Sequence, residues 1–340
     1  MRIRPDPAPF ARRRGYAKDA SVTFNALTDW PLFGLADDVR PALAAARSRG
    51  EAAALVTLCA VEGGGPRPPG TQMVFAGEDV LGFLSGGCVE GDIAGHAALT
   101  LTDGQPRHLV YGEGGPWPDI RLLCGARIEI LVEKIAPGDA AIGRLIDLMQ
   151  ARRPALYRTD GVTRSCEEGT GPMCAVTKAP FGLTRCHAPV PRLIVVGGDP
   201  TALAIASLGA QSGMETTLIR PKGPQTPPPL AGVAYRREAA GAALAAVTID
   251  PWTAIAIATH DIETDHEALM TALPSDAGYI GLLGARSRLE GRLHALRRAG
   301  IAGEAINRLH APIGLPTGGK APWEVAVSVI AEVMAEQGNR

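Results

Sequence analysis

Aromatic residues make up only 4% of this 340-residue chain, and neither sign of charge dominates: 34 Lys and Arg stand against 35 Asp and Glu. With so few rings to stack on and no basic excess, a general nucleic-acid binder is excluded. No apolar run approaches the roughly 20 residues of a membrane-spanning helix. Six cysteines are too few to make a disulfide scaffold in a chain this long. No two of them form a Cys-x-x-Cys pair, which argues against a structural zinc site. A reduced, cytoplasmic protein is expected, with no nucleic-acid or membrane partner. Hydrophobic residues reach 46%, enough for real cores, and the length suggests two domains.

Residues 1–20 are rich in Pro and Arg and lack the apolar stretch of a secretory signal. They read as a mobile basic arm. The sequence then organises itself around Leu84-Ser85-Gly86-Gly87-Cys88-Val89-Glu90-Gly91-Asp92. A strand-length apolar run leads in and a helical pattern over 89–101 leads out. Two glycines allow backbone conformations that turn amides inward together. The helix start adds partial positive charge, which favours a thiolate. The stretch therefore suits an anion, a soft metal or sulfur chemistry, or else is a tight turn with a small buried residue at 88.

The Gly- and Pro-rich loop 62–70 carries a single cation, Arg67, able to meet an anionic oxygen. Strands over 72–76 and 80–84 read as a hairpin. Cys124 ends an irregular loop before the alternating strand 127–132, so Cys88 and Cys124 both lie at junctions, where ligand contacts concentrate. Cys59, inside an apolar strand, reads as core. Cys166, Cys174 and Cys186 lie in a strand-rich extension over 154–186 and read as structural.

The Pro-rich segment 187–191 divides the chain, giving domains over 21–187 and 188–340. Beyond it the strand 192–196, the turn Gly197-Gly198-Asp199-Pro200 and the helix 201–213 open a Rossmann unit. Further strands over 216–219, 253–258 and 278–283 alternate with helices, which implies a parallel sheet covered on both faces. The expected class is α/β: an N-terminal α+β domain followed by a Rossmann-like doubly wound parallel sheet. The dinucleotide fingerprint is poor. Asp199 stands where a glycine should admit the pyrophosphate, and Arg220-Pro221-Lys222 stands where an acid should hold the ribose. Conventional NAD(P) binding is not expected. Ligands of such folds lie beyond the carboxyl ends of the strands. Those ends carry His260, then Gly281, Gly284, Arg286, Ser287 and Arg288 at a helix start suited to a phosphate, and then His310.

Several of these segments, in the same order, resemble the XdhC/CoxI family of xanthine dehydrogenase accessory proteins and carbon monoxide dehydrogenase maturation factors. They are loop 62–73, Ser85-Gly86-Gly87-Cys88-Val89-Glu90, Cys124-Gly125, Thr259-His260-Asp261, 279–288 and 310–314. The resemblance implies an XdhC/CoxI-type first domain and a chaperone that binds molybdenum cofactor. It also implies sulfuration of the cofactor by a cysteine desulfurase and insertion into a xanthine dehydrogenase-type apoenzyme, often by a homodimer. Carried over residue by residue, the cofactor site comprises Arg67, Ser85, Gly86, Gly87, Cys88, Glu90, Cys124, His260, Gly281, Gly284, Arg286, Arg288 and His310. Cys88 is then the thiol nearest the molybdenum. The competing readings are an NAD(P)-dependent oxidoreductase using His260 or His310 as acid–base, and a sulfur-transfer enzyme carrying persulfide on Cys88.

Overall fold

The computed structural model describes residues 30–338 apart from 66, 113–114, 116–121, 123–124 and 285. The basic arm and Cys124 therefore lie outside the described residues. The chain divides into two compact units, meeting between Ala188 and Pro189.

The first unit holds helix α1 (Arg40–Ser48), strands β1 (Ala53–Glu62), β2 (Gln72–Ala76) and β3 (Asp79–Gly82), helix α2 (Glu90–Asp103), strands β4 (Arg107–Tyr111) and β5 (Arg127–Ile135) and helix α3 (Ala140–Gln150). The strands form one antiparallel sheet in the order β3-β2-β1-β5-β4. Strand β1 is central and buried along most of its length, so it reads as a continuous apolar run with no alternation. Its two faces are covered separately. Leu58, Met73, Phe75, Ile128 and Ile130 pack against Ile93 and Ala97 of α2. Leu55 and Val74 pack against Leu43 of α1 and Ile142 and Leu145 of α3. Asp139 starts α3 by accepting the Ile142 amide at 3.0 Å, a side-chain cap that satisfies one of the helix's open donors.

A small antiparallel sheet follows, from β6 (Ala155–Thr159), β7 (Arg164–Glu168), β8 (Cys174–Lys178) and β9 (Phe181–His187), in the order β7-β6-β9-β8. It is tied to β5 by Glu133, which is fully buried. Glu133 accepts from Tyr157 at 3.0 Å, Thr159 at 2.8 Å and Arg164 at 3.0 Å. Arg164 also meets Asp139 at 2.9 Å. Burial pushes the Glu133 carboxyl up, while Arg164, Thr159 and Tyr157 pull against that. Cys59 is buried beside Leu131 and Leu183, with Cys174 against the same cluster.

The second unit begins with β10 (Arg192–Gly197), α4 (Pro200–Gln211), β11 (Glu215–Ile219), β12 (Val233–Arg236) and α5 (Ala240–Ala245). It continues through β13 (Thr253–Ala258), α6 (Ile262–Ala272), β14 (Tyr279–Leu282), α7 (Arg286–Arg298), α8 (Gly303–Asn307), β15 (Leu309–His310) and α9 (Pro322–Gly338). All six strands are parallel, in the order β12-β11-β10-β13-β14-β15. This is the doubly wound arrangement expected, with its switch point between β10 and β13. Small side chains bring α4 and α9 together on one face, Ala202 and Ala206 with Ala326 and Val329. Leu244, Leu269 and Leu296 fill the other. Short elements escape the sequence reading, β12, α5 and α8 among them. Strand β12 is half-exposed, and α5 is almost entirely alanine, so neither carries an apolar stripe.

Candidate functional site

The Ser-Gly-Gly-Cys stretch is a loop built inward onto one carboxylate. Glu90, the first residue of α2, is buried and folds back along the loop. Its Oε1 accepts the amides of Leu84 at 3.1 Å and Ser85 at 2.6 Å. Its Oε2 accepts the Ser85 hydroxyl at 2.6 Å and the Gly87 amide at 2.9 Å. Ser85 Oγ in turn accepts the Val89 amide at 3.2 Å. Gly86 and Gly87 have φ of +95° and +96°, a region that non-glycine residues enter only at a cost. With these inward groups engaged, Cys88 is left exposed at the loop's outer turn.

This corrects the sequence reading in one respect. The inward-turned amides exist, but the anion they hold is the chain's own Glu90. Glu90 therefore positions the loop; it is not a ligand-facing group. Cys88 remains the group presented outward.

Helix α2 carries a second polar cluster one turn further on. Tyr111 donates to Asp92 at 2.7 Å, and His96 lies 3.5 Å from the same carboxylate. His96 and Tyr111 hold Asp92 below the usual carboxylate range. A depressed carboxyl stabilises the fold above its unfolded pKa of 3.8, and the contribution is lost as pH falls through the folded value. The melting-temperature difference between wild type and Asp92→Asn is thus expected to be full above about pH 5 and to shrink below about pH 4.

The thiols differ sharply in surroundings. Burial pushes Cys59 up to about 12 and Cys166 up to about 11. Because the thiolate is the nucleophile, limited iodoacetamide at pH 8 should label exposed Cys88 at least about 100-fold faster than Cys59. Peptide mass mapping over time checks this.

Arg67 is placed against Asp37 as an ion pair. In the second unit, Asp199 caps α4 by accepting the Ala202 amide at 2.8 Å. Its other oxygen meets Nε2 of the exposed His260 at 3.0 Å. The α4 start, where a pyrophosphate would sit, is thus held by a carboxylate. Gly198 is closed as well, since a Cβ there would lie 2.4 Å from Nε of Arg220.

Gly281 is buried in β14, and a Cβ there would meet Ile313 at 2.5 Å. It is a packing position, which corrects its assignment to ligand binding. Gly284 adjoins Arg292, whose guanidinium pairs with buried Asp265 at 2.7 Å. Arg286 and Arg288 open α7, but their side chains lie outside the described residues. His310 lies 3.4 Å from Glu332 and packs on the Tyr279 ring. Glu332 also receives the Tyr279 hydroxyl at 2.5 Å and the Gly314 amide at 2.8 Å. These contacts make His310 part of a brace between β14, β15 and α9. Among the described residues, no three His, Cys, Asp or Glu side chains gather as a metal site.

The sequence comparisons agree with this architecture. Residues 193–333 match the XdhC Rossmann domain, and residues 46–112 match the XdhC and CoxI family. The Escherichia coli (strain K12) molybdenum cofactor insertion chaperone PaoD is 30% identical over 290 residues, covering 84% of this chain and 83% of PaoD. The chain belongs to the XdhC/CoxI family. A probable xanthine dehydrogenase subunit from Bacillus subtilis (strain 168) is 24% identical, over 84% of this chain and 93% of that protein. A crystal structure from Bacillus halodurans, described as a xanthine dehydrogenase, superposes with a TM-score of 0.70 at 22% identity. It covers 88% of this chain and 96% of that one, a likeness of fold. In this member of the XdhC/CoxI family, the glycine-cysteine loop is gathered onto Glu90 through its bonds to Leu84, Ser85 and Gly87.

Proposed function

We propose that this chain is a molybdenum cofactor accessory protein, a carrier that receives the cofactor, supports its sulfuration and passes it to a xanthine dehydrogenase-type apoenzyme. The observation that carries the reading is the placement of Cys88, an exposed thiol at the turn of a loop fixed from within by Glu90. The donor set fits the group. A thiol is a soft ligand, suited to a metal already held by sulfur, and a loop locked by its own carboxylate presents that thiol without reorganising. When bound, the cofactor supplies a sulfur-ligated molybdenum and a terminal phosphate. Family likeness to the insertion chaperone PaoD supports the same reading.

The reading brings a cysteine desulfurase and the apoenzyme as partners, a homodimer as the working unit, and a cytoplasmic setting. No helix among the described residues is long and apolar enough to cross a membrane. An ordinary NAD(P)-dependent oxidoreductase is disfavoured by Asp199 and Arg220, which occupy the pyrophosphate approach.

The test is molybdenum and pterin content after anaerobic incubation with molybdenum cofactor and desalting. Wild type is expected to retain near-stoichiometric cofactor and Cys88→Ala to lose most of it. Equal retention by both sinks the role of Cys88, and no retention by either sinks the carrier reading. Mass spectrometry after incubation with a desulfurase and cysteine separates a passive carrier from a sulfur-transfer enzyme, since only the latter gains mass on Cys88.

A further inference from the structure

We propose that the cleft at the carboxyl ends of β11 and β12 binds a phosphomonoester. The cleft is a shallow, open depression of about 630 Å³ lined by Lys222, Gln225, Tyr235, Arg236, Arg237 and Glu238. Three cations face one carboxylate, and that carboxylate is already committed. Glu238 accepts Nε of Arg236 at 3.1 Å and the Arg237 amide at 2.9 Å. Among the described residues, neither Lys222 nor Arg237 has a carboxylate within ion-pair distance.

The cations are also held in place. Arg237 donates through Nε to the Gly223 carbonyl at 2.8 Å, which leaves the rest of its guanidinium outward. Lys222 sits in the left-handed region with φ of +56°, an uncommon conformation for a side-chain-bearing residue. Tyr235 donates to the Pro224 carbonyl at 3.1 Å and fixes the same turn. The turn between β11 and β12 is therefore pinned at two points, with Lys222 and Arg237 outside ion-pair distance of any carboxylate among the described residues and Asp261 within electrostatic reach of Lys222.

The position has a chemical meaning in this topology. In a doubly wound sheet, the end of the second strand faces the sugar end of a nucleotide lying across the crevice, and arginine there accommodates a phosphate monoester. A guanidinium and an ammonium together suit a terminal phosphate with its spread of oxygens. A pyrophosphate at α4 is opposed by Asp199, as described. The ligand class is thus an organic molecule ending in a phosphomonoester, and two sources share that chemistry: a 2′-phosphorylated nucleotide and a phosphorylated pterin. The inference stands independently of the part played by Cys88.

Calorimetric titration of the full chain at low salt tests it with two matched pairs. The first is adenosine 2′-monophosphate against adenosine, and the second is 6-hydroxymethylpterin phosphate against the same pterin without phosphate. The phosphorylated member of at least one pair is expected to bind at least 10-fold more tightly, and whichever pair shows the preference identifies the source. Lys222→Glu, an exposed substitution, and Arg237→Gln should each reduce that preference at least 10-fold. Cofactor retention on Cys88→Ala and wild type, measured separately, shows whether the carrier reading holds. No preference in either pair, or a preference unchanged in both variants, overturns the phosphomonoester site.

Discussion

Replacing Glu90 by Ala is expected to undo the loop that presents Cys88 while leaving the two sheets folded. The substitution removes one carboxylate and strands three backbone amides and a hydroxyl. Leu84 and Ser85 are buried, so water reaches their amides and the Ser85 hydroxyl only if the loop opens, whereas Gly87 is exposed. Hydrogen bonds to a charged group are each worth about 1.5–3 kcal/mol, and an orphaned buried donor costs about 1–3 kcal/mol. Opening relieves part of that, and a net loss of about 3 kcal/mol in local stability follows. Hydrogen exchange at the Leu84 and Ser85 amides should speed up by about two orders of magnitude. Amides of β1 and β5 should keep their protection. Glu90→Gln should give a smaller loss, because it keeps one acceptor and removes the charge. Unchanged exchange at Ser85 in Glu90→Ala would falsify the role assigned to this carboxylate.

The second large effect is expected at Arg164. Its loss leaves Glu133 fully buried with only Tyr157 and Thr159 as partners. Breaking a buried pair from one side costs about 3–5 kcal/mol, enough to destabilise the first unit visibly in urea unfolding. The pH dependence has a definite sign. Burial already raises the Glu133 carboxyl above 4.5, and Arg164 is the foremost of the groups that oppose the rise, ahead of Thr159 and Tyr157. Without Arg164 the folded state favours protonation more strongly. Its stability is then highest at acid pH and falls as pH rises through the folded pKa. The gap between wild type and Arg164→Ala should be widest near neutral pH and should narrow toward about pH 4.5. Adding Glu133→Gln to Arg164→Ala should recover part of the loss at neutral pH.

Much of the fold can be read from local pattern. The hairpin, read over 72–76 and 80–84 with its second strand found at Asp79–Gly82, and the β10–turn–α4 unit each follow from apolar runs ended by Gly, Pro or a capping Asp. Helix α6 starts earlier than its apolar pattern, because Asp261 caps it by accepting the Glu263 amide at 3.0 Å, a start signal carried by one residue. The site is legible only in part. Gly86, Gly87 and Cys88 mark a special turn by residue type alone. The inward fold of Glu90 has a faint signal, an acid in the first turn of a helix after a serine. Asp199 is readable as a helix cap from its place before Pro200, but its bond to His260 spans 61 positions. The His310–Glu332 contact likewise joins residues from different elements. Pairings of that kind depend on tertiary closure, which no local pattern encodes.

Asp199 and Glu90 have one consequence in common. Asp199 caps α4 and Glu90 binds the loop that leads into α2, so each competes for its amides as part of the same molecule. Tethering gives an effective concentration in the millimolar range or above, and the paired donors are satisfied before any solute arrives. Abundant phosphates and nucleotides therefore compete with a carboxylate already bound at the Ala202 amide and at the Leu84, Ser85 and Gly87 amides. For a carrier of the kind proposed, common cellular anions are then disfavoured at the amides these two carboxylates hold.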